Sequence, residues 1–498
     1  MDAAKTCKHF NGATALRKIS RFHIHACASL LLVIDILFTS GCAFINSKQL
    51  LNDVPASPST VYAPHNSLSK QMPADKDVLP SLDGQRLGLA QCIDIALTRN
   101  PNTRASWQRA RSAAAGVGQA RSAYFPSADF TAGATRSNYL SLYSRQQTGS
   151  VNTLNAGFGV RYLLFDGGVR SAKLKGAEAE LLKADFQHNT TLQDVALNVE
   201  ESYYRLLADK ALERVAKQTI RQTQYHIDVA QARHKNGLVA KSDVLKAATE
   251  KANADLLLVR ARSQVRIARG QLANAMGLKP SESFKVNELP QKHHQRELAD
   301  IKHLMAEAET NHPKLRADLA RVASDRAKIN AAKARYWPEV TLNTNYGWQD
   351  RTFVSTNKVW SLGLNVTWSI FDGFNRRYTV SRTESDLAET IAKHDKMLHD
   401  IDLEVWTAYS KLIEADEVIK AARVLVASAE ENVRVTEGQY KNGIASIIEV
   451  TDAQTTRTTA NVQLVQASLN WYTGMVRLEW SVGRTLARAT PHNTNGEN

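Results

Sequence analysis

The chain of 498 residues is written twice, and any fold it adopts must accommodate that repeat. Asn100-Pro101 precedes a stretch ending in Tyr124-Phe125-Pro126, and His312-Pro313 precedes one ending in Tyr336-Trp337-Pro338. Both prolines are displaced by 212 residues. Leu164-Phe165-Asp166-Gly167 and Ile370-Phe371-Asp372-Gly373 are displaced by 206. The same offset relates Tyr203 to Tyr409, and Lys235-Asn236-Gly237 to Lys441-Asn442-Gly443. The halves therefore share one plan, and differ by six residues between the proline and the Asp-Gly marks. No proline occurs from 127 to 279 or from 339 to 490, so each half holds a long uninterrupted run.

Between those marks the period is two, the signature of strands. Val340, Leu342, Thr344, Tyr346 and Trp348 alternate with Glu339, Thr341, Asn343, Asn345 and Gly347. Trp360, Leu362, Leu364, Val366, Trp368 and Ile370 alternate with Ser361, Gly363, Asn365, Thr367 and Ser369. In the first half Phe158, Val160, Tyr162 and Leu164 alternate with Gly157, Gly159, Arg161 and Leu163, and the pattern from Ser127 to Leu140 is weaker. Hairpins are expected at 127–165 and 339–371. An apolar face opposite a small polar face suits a barrel wall with lipid outside and water inside. A half-buried strand in a soluble sandwich alternates too, but here the flanking segments are helical. A strand of about 11 residues at ~3.3 Å per residue, tilted by 45°, spans roughly 25 Å, the height of an apolar membrane band.

After each Asp-Gly the period becomes helical. Ile391, Leu398, Val405, Leu412, Ile419, Val426, Val433 and Tyr440 recur every seven residues, and Ala408, Ala415, Ala422, Ala429 and Thr436 follow three later. Large-then-small heptads let helices lie close side by side. The spacing predicts long helices over 169–235 and 375–441, each ~100 Å long at 1.5 Å per residue. Asn236-Gly237 and Asn442-Gly443 would end them in left-handed caps, before returning helices at 242–276 and 447–482. A further helix is expected over 313–335. Pro126 and Pro338 end helices and open strands. Asp166-Gly167 and Asp372-Gly373 turn the chain at the strand ends, with each aspartate available to cap the next helix.

The rest of the chain frames this core. Residues 1–41 read as an export signal, with Lys5, Lys8, Arg17, Lys18 and Arg21 before a short apolar run from Ala26 to Phe38. Thr39-Ser40-Gly41 leads to Cys42 and resembles the lipobox of bacterial lipoproteins, in which that cysteine is lipidated; the alternative is signal cleavage nearby without lipid. Residues 42–86, with Pro55, Pro58, Pro64, Pro73 and Pro80, read as an extended tether. The first repeat is placed at 87–280, a joint at 281–302, the second repeat at 303–484 and a polar tail at 485–498. The net charge is +14; removing the five basic and two acidic side chains of 1–41 leaves +11. The basic residues are scattered singly along helical stretches, which argues against nucleic acid. Cys7 and Cys27 would leave with the signal, so no disulfide framework and no metal-ligand spacing remain. His293-His294 reads as a solvated pair rather than a metal site, and His188 and His394 as packing residues. No Walker loop, dinucleotide glycine pattern or Gly-x-Ser-x-Gly is present, so neither enzyme nor cofactor is expected.

Two hairpins give only four strands. An open four-stranded sheet in lipid would leave its edge amides and carbonyls unpaired, each costing several kcal/mol. Three chains would supply twelve strands and close the barrel. With the duplicated plan, Tyr-Phe-Pro beside Tyr-Trp-Pro, Leu-Phe-Asp-Gly-Gly, and Tyr440 through Asp452, the chain resembles the TolC-type outer-membrane factor family over about 87–484. The resemblance implies a mixed α+β membrane protein, a homotrimer with a 12-stranded transmembrane β-barrel continued by a coiled-coil-like α-helical barrel in the periplasm. It implies a passive duct that docks through its tips onto a periplasmic adaptor and an inner-membrane pump.

The resemblance also places a periplasmic gate at Glu449 and Asp452, with Asp243 matching Glu449 in the first repeat and Lys246 standing where a second acid would be. Ser446-x-x-Glu449 is equally a capping box. Ala445 stands where the family often has an arginine, and Tyr440 matches a tyrosine of the family's closing links but also completes the heptads. Asn236, Gly237, Tyr440, Asn442 and Gly443 are the expected tip and adaptor-docking residues. The function expected is the outlet of a drug or small-solute efflux pump. The alternatives are the outlet of a one-step protein secretion system and, from another class, a trimeric surface adhesin.

Overall fold

A computed structural model describes residues 55, 57–62, 86–140, 147–287, 299–350 and 357–484. Residues 1–41, Cys42, most of the tether, His293-His294 and the tail lie outside the described residues. The elements run β1 (Arg86–Leu87), α1 (Leu89–Arg99), α2 (Pro101–Ser122), β2 (Ser127–Leu140), β3 (Gln147–Phe165), α3 (Val169–Lys235) and α4 (Lys241–Ala275). The second half runs β4 (Lys285–Val286), α5 (Ile301–Asn311), α6 (Pro313–Ala334), β5 (Glu339–Asp350), β6 (Lys358–Thr367), α7 (Asn375–Lys441) and α8 (Ile447–Val482). α3 and α7 have 67 residues each, ~100 Å of helix. No described helix is long and apolar enough to cross a membrane, which says nothing of a β-barrel.

The sheet order is β2-β3-β5-β6, antiparallel throughout. The helices joined to these strands pack in the same order: α2 on α3, α3 on α6, α6 on α7. Toward the other end α4 packs on α3, α3 on α8, and α8 on α7. Each strand thus continues into, or out of, the helix at its own place in the row. Among the described residues, β2 and β6 each keep one unpaired edge.

Register sorts the two faces. Residues directly opposite across a ladder point to the same side. Phe130, Phe158, Tyr346 and Trp360 form one row across all four strands; Ala128, Val160, Thr344 and Leu362 form another. Between them lies the row Asp129, Gly159, Asn345 and Ser361. The apolar rows are uncovered: Trp360 is 72% exposed, and Leu362, Leu364 and Val366 are comparably open.

Two strand details and one helical one differ from the periodicities read in the sequence. A register shift between Leu163 and Phe165 pairs Phe165, not Leu164, with Val340, because the bulge inserts a residue and reverses the phase. Trp368 to Phe371 leave the ladder, since β5 begins at Glu339 opposite Thr367 and offers no partner beyond it. Trp368 Nε1 donates instead to the Tyr336 carbonyl at 3.1 Å. In α7 the heptads hold from Val405 to Tyr440, where α8 covers them, whereas Ile391 at the head of the series is exposed.

Each half has its own core. Cys92, Leu192, Val199, Leu206, Leu272 and Met276 fill the first, and Leu304, Leu315, Ile401, Val405, Leu412 and Val482 the second. Burial pushes the Cys92 thiol up to about 12, so it stays protonated and unreactive. The halves are tied by Gln193 Nε2 to the Gly483 carbonyl (2.8 Å) and Trp480 Nε1 to Asp194 (3.0 Å).

Part of the tether has firm partners. Trp107 Nε1 donates to the Pro55 carbonyl at 2.7 Å, and Asn189 exchanges two bonds with the Tyr62 backbone at 2.8 and 3.0 Å. His188 is fully buried, with Nδ1 2.8 Å from Ser106 Oγ and Nε2 3.2 Å from the Thr60 carbonyl. Its role is to hold this strap against α2 and α3.

The strand-to-helix turns use glycine for different reasons in the two halves. Gly167 and Gly373 have φ of +65° and +66°. A Cβ on Gly167 would stand 2.5 Å from Trp337 Cβ, whereas one on Gly373 meets nothing within 4 Å. Gly373→Ala is therefore expected to cost about 1–2 kcal/mol of left-handed strain. Gly167→Ala should cost about 1–3 kcal/mol more from overpacking. Denaturant unfolding of the purified variants in detergent, followed by circular dichroism, measures both.

Candidate functional site

The strand–helix switches are built by a carboxylate and an arginine four residues apart. Asp166 accepts from Gly168 N (Oδ1, 3.1 Å) and Arg170 N (Oδ2, 2.7 Å), capping α3. Arg170 pairs with Asp166 at 3.3 Å and turns back to the Leu163 and Leu164 carbonyls at the end of β3. In the second half Asp372 Oδ2 accepts from Arg376 N (3.1 Å) and Nε (2.9 Å), and Arg376 reaches the Ile370 carbonyl. Arg170 stacks on Tyr124 and Arg376 on Tyr336, at 4.9 and 5.1 Å. Pro126 and Pro338 follow these tyrosines and precede β2 and β5. The arginines were not picked out from the sequence, although they too are displaced by 206 residues.

At the opposite end the two Lys-Asn-Gly turns close alike. Asn236 and Asn442 are the C-caps of α3 and α7, and Gly237 and Gly443 follow with φ of +72° and +73°. Leu238 N donates to the Arg233 carbonyl and Ile444 N to the Gln439 carbonyl, each at 2.9 Å, which satisfies the last turns. Leu238 and Ile444, the next residues along, are exposed apolar side chains at the tips.

The returning helices differ. Ser446 caps α8: its hydroxyl oxygen accepts from Glu449 N at 3.3 Å, and Glu449 Oε1 accepts from Ser446 N (3.3 Å) and Oγ (2.9 Å). This is a closed capping box. Glu449 and Asp452 are both exposed, on the side of α8 away from buried Val450 and Gln454. In the first half Ala240 occupies the N-cap without a side-chain bond, Asp243 is bound by Ser242 Oγ at 3.3 Å, and Lys246 pairs with Glu250 at 3.8 Å.

Tyr440 is 4% exposed and packs with Ile447 and Val450, so its ring is core rather than docking surface. Arg233 of α3 lies 4.7 Å over that ring and donates to the Tyr440 carbonyl. Burial raises the Tyr440 pKa against the lowering effect of Arg233, with Asp243 adding to the rise. Beside it, His226 of α3, Glu437 of α7 and Gln454 of α8 meet in a hydrogen-bonded cluster. Arg233 and this cluster escaped the sequence reading because the repeat does not carry them: Arg233 corresponds to Gln439, His226 to Asn432 and Glu437 to Gln231.

The Tyr440 hydroxyl is buried without a hydrogen-bond partner. Removing an unpaired buried polar group of this kind is nearly neutral or stabilising. Tyr440→Phe should therefore leave thermal unfolding within about 1 kcal/mol of the parent, while Tyr440→Ala should cost about 3 kcal/mol through the cavity it opens.

In sequence and in fold the chain is similar to known proteins. The sequence profile described as "Outer membrane efflux protein" matches residues 92–278 and 304–484. Protein CyaE of Bordetella pertussis is 27% identical over 375 residues, covering 74% of this chain and 78% of that protein. The toluene efflux pump outer membrane protein TtgC of Pseudomonas putida is 22% identical over 468 residues, covering 91% of this chain and 95% of TtgC. Among solved structures, the outer-membrane channel OprN superposes with a TM-score of 0.72 at 19% identity, over 79% of this chain and 89% of OprN. The open-state MtrE outer membrane channel of Neisseria gonorrhoeae superposes with a TM-score of 0.69 at 18% identity, over 86% and 98%. With both halves matched by one profile and the same fold in these channels, the chain belongs to the TolC-type outer membrane efflux protein family.

Proposed function

We propose that three copies of this chain assemble into the outer-membrane exit duct of a tripartite efflux pump, with a 12-stranded barrel in the membrane and the helices in the periplasm. The observation that carries this reading is the uncovered apolar face of a four-stranded sheet whose two edges remain unpaired among the described residues. Lipid would cover that face, and only further strands can satisfy the edges. Because strands and helices share one order, the β2 edge and the β6 edge lie on the same sides as the two flanks of the helical layer. Those flanks are apolar as well. Leu403, Trp406, Ile413 and Val424 are exposed on α7; Leu245, Leu256, Val259 and Ile267 are exposed on α4. One flank meeting the other of the next copy makes a head-to-tail contact, which closes as a ring when the rotation between copies completes a full turn.

The polar rows of the sheet would line a water-filled lumen, and transport through it would be passive. Exposed Leu238 and Ile444 at the tips give an adaptor protein apolar surface to dock on. The relatives named for efflux of toluene and of antibiotics support small organic solutes as cargo. Acylation of Cys42 would add a lipid anchor. Deleting the gene and exposing cells to a panel of toxic organic compounds should produce hypersensitivity that the intact gene reverses. Unchanged susceptibility across the panel, with no trimer in detergent extracts, would overturn the reading.

Glu449 and Asp452 would gather as six carboxylates around a threefold axis and favour cations at the tip constriction. The double variant Glu449→Gln/Asp452→Asn should lower cation selectivity in planar bilayers, and identical reversal potentials would remove the gate from these residues.

A further inference from the structure

His226, Glu437 and Gln454 come from three helices that meet near the tips. The His226 side chain is 10% exposed, and its Nε2 lies 3.5 Å from Glu437 Oε1. Gln454 Nε2 lies 2.6 Å from Glu437 Oε1 and 3.3 Å from His226 Nε2. A carboxylate only accepts, so the Gln454 amide nitrogen must face it, and its second hydrogen then points at an unprotonated Nε2. The neutral imidazole is therefore part of the bridge: one amide joins α8 to both long helices at once. Protonation at Nε2 removes the acceptor and breaks one arm of that bridge.

We propose that this triad is a proton-sensitive latch, holding α3 against α7 and α8 near the tips at neutral pH and releasing them as the medium is acidified. The proposal rests on the channel reading for its consequence, but not for its chemistry. The charged groups around the imidazole set the sign. Glu437 favours the imidazolium; Arg457 on α8 and Lys441 on α7 oppose it. Glu430 on α7 acts on Arg457, and α4 contributes Glu250 and Arg260 around the cavity onto which His226 opens. Burial outweighs Glu437, so His226 in this arrangement sits below the ordinary imidazole value of about 6.5. A solvated His226, in separated helices, would sit at that ordinary value. The proton thus prefers the separated form, and the latch loses stability as pH falls through about 6.5 toward the lower bound-state value. The cavity, of about 470 Å³ and lined by Thr219, Thr223, Thr455 and Thr458, gives water access to the ring.

The test uses the full-length protein reconstituted in planar bilayers, titrated between about pH 7.5 and 5.5, the range in which histidine changes charge. The parent should open more often as pH falls, and His226→Gln, which keeps an acceptor but cannot be protonated, should lose that rise. Glu437→Gln removes the group that favours the imidazolium in the latched form, so it should enlarge the rise on acidification rather than abolish it. An equal rise in parent and His226→Gln overturns the latch, as does a parent that conducts but shows no rise. Histidine-labelled protein in detergent provides a readout independent of conduction: the imidazole resonance absent from His226→Gln must titrate below about 6.5. A midpoint at or above that value overturns the proposal even if the channel reading stands, and a low midpoint in a protein that conducts nothing sinks only the channel reading.

Discussion

Unpaired backbone groups at the two sides of one small sheet govern the architecture. β2 and β6 each offer a row of amides and carbonyls with no partner among the described residues, beside a face of Trp360, Leu362 and Phe158 that no other described element covers. In water such a sheet would aggregate through its edges. In hydrocarbon it would be prohibitively unstable unless the edges closed. The helical layer inherits the same problem in milder form, since its flanks on α4 and α7 are apolar and uncovered. One assembly rule resolves both, because the order of the strands is the order of the helices.

The junctions make that shared order rigid. At each strand end a single carboxylate caps the helix that follows while its arginine grips the carbonyls of the strand that precedes. The direction of a 67-residue helix is thus tied to the last residues of its strand by charge-assisted bonds rather than by a flexible linker. The stacking of Arg170 and Arg376 on tyrosines that close α2 and α6 extends the grip to the neighbouring helix.

Period and offset made much of this readable in advance. Alternate positions of 340–346 and 360–366 fall opposite one another in the ladder, because a strand's period leaves only two faces to choose between. Heptads from Val405 to Tyr440 mark the buried side of α7, and Asn-Gly marks its end. What was not readable depends on neighbours distant in sequence. The bulge before Phe165 is set by where β5 lies, and the exposure of Ile391 by which helix covers α7 at that height. The tip cluster was invisible for a different reason. Offset reasoning finds what the two halves share, and His226, Glu437 and Gln454 occur once each. Arg233 and Tyr440, facing each other across the halves, are likewise matched by unlike residues. Duplication built the struts; divergence furnished the ends.

The strap between Pro55 and Tyr62 sets a limit on where the amino-terminal end can reach. Asn189, which clasps Tyr62, lies 20 residues along α3 from Val169, a descent of about 30 Å below the sheet. Pro55 lies thirteen steps along the chain from Cys42, and a chain of that length extends to at most ~47 Å. In the proposed channel, a fatty acyl group on Cys42 would therefore be on a leash long enough to reach a membrane around the sheet, yet too short to wander far from its own protomer. The clasp around His188 would then act as the mooring point, transmitting any pull from the lipid to the middle of a long helix rather than to its tip.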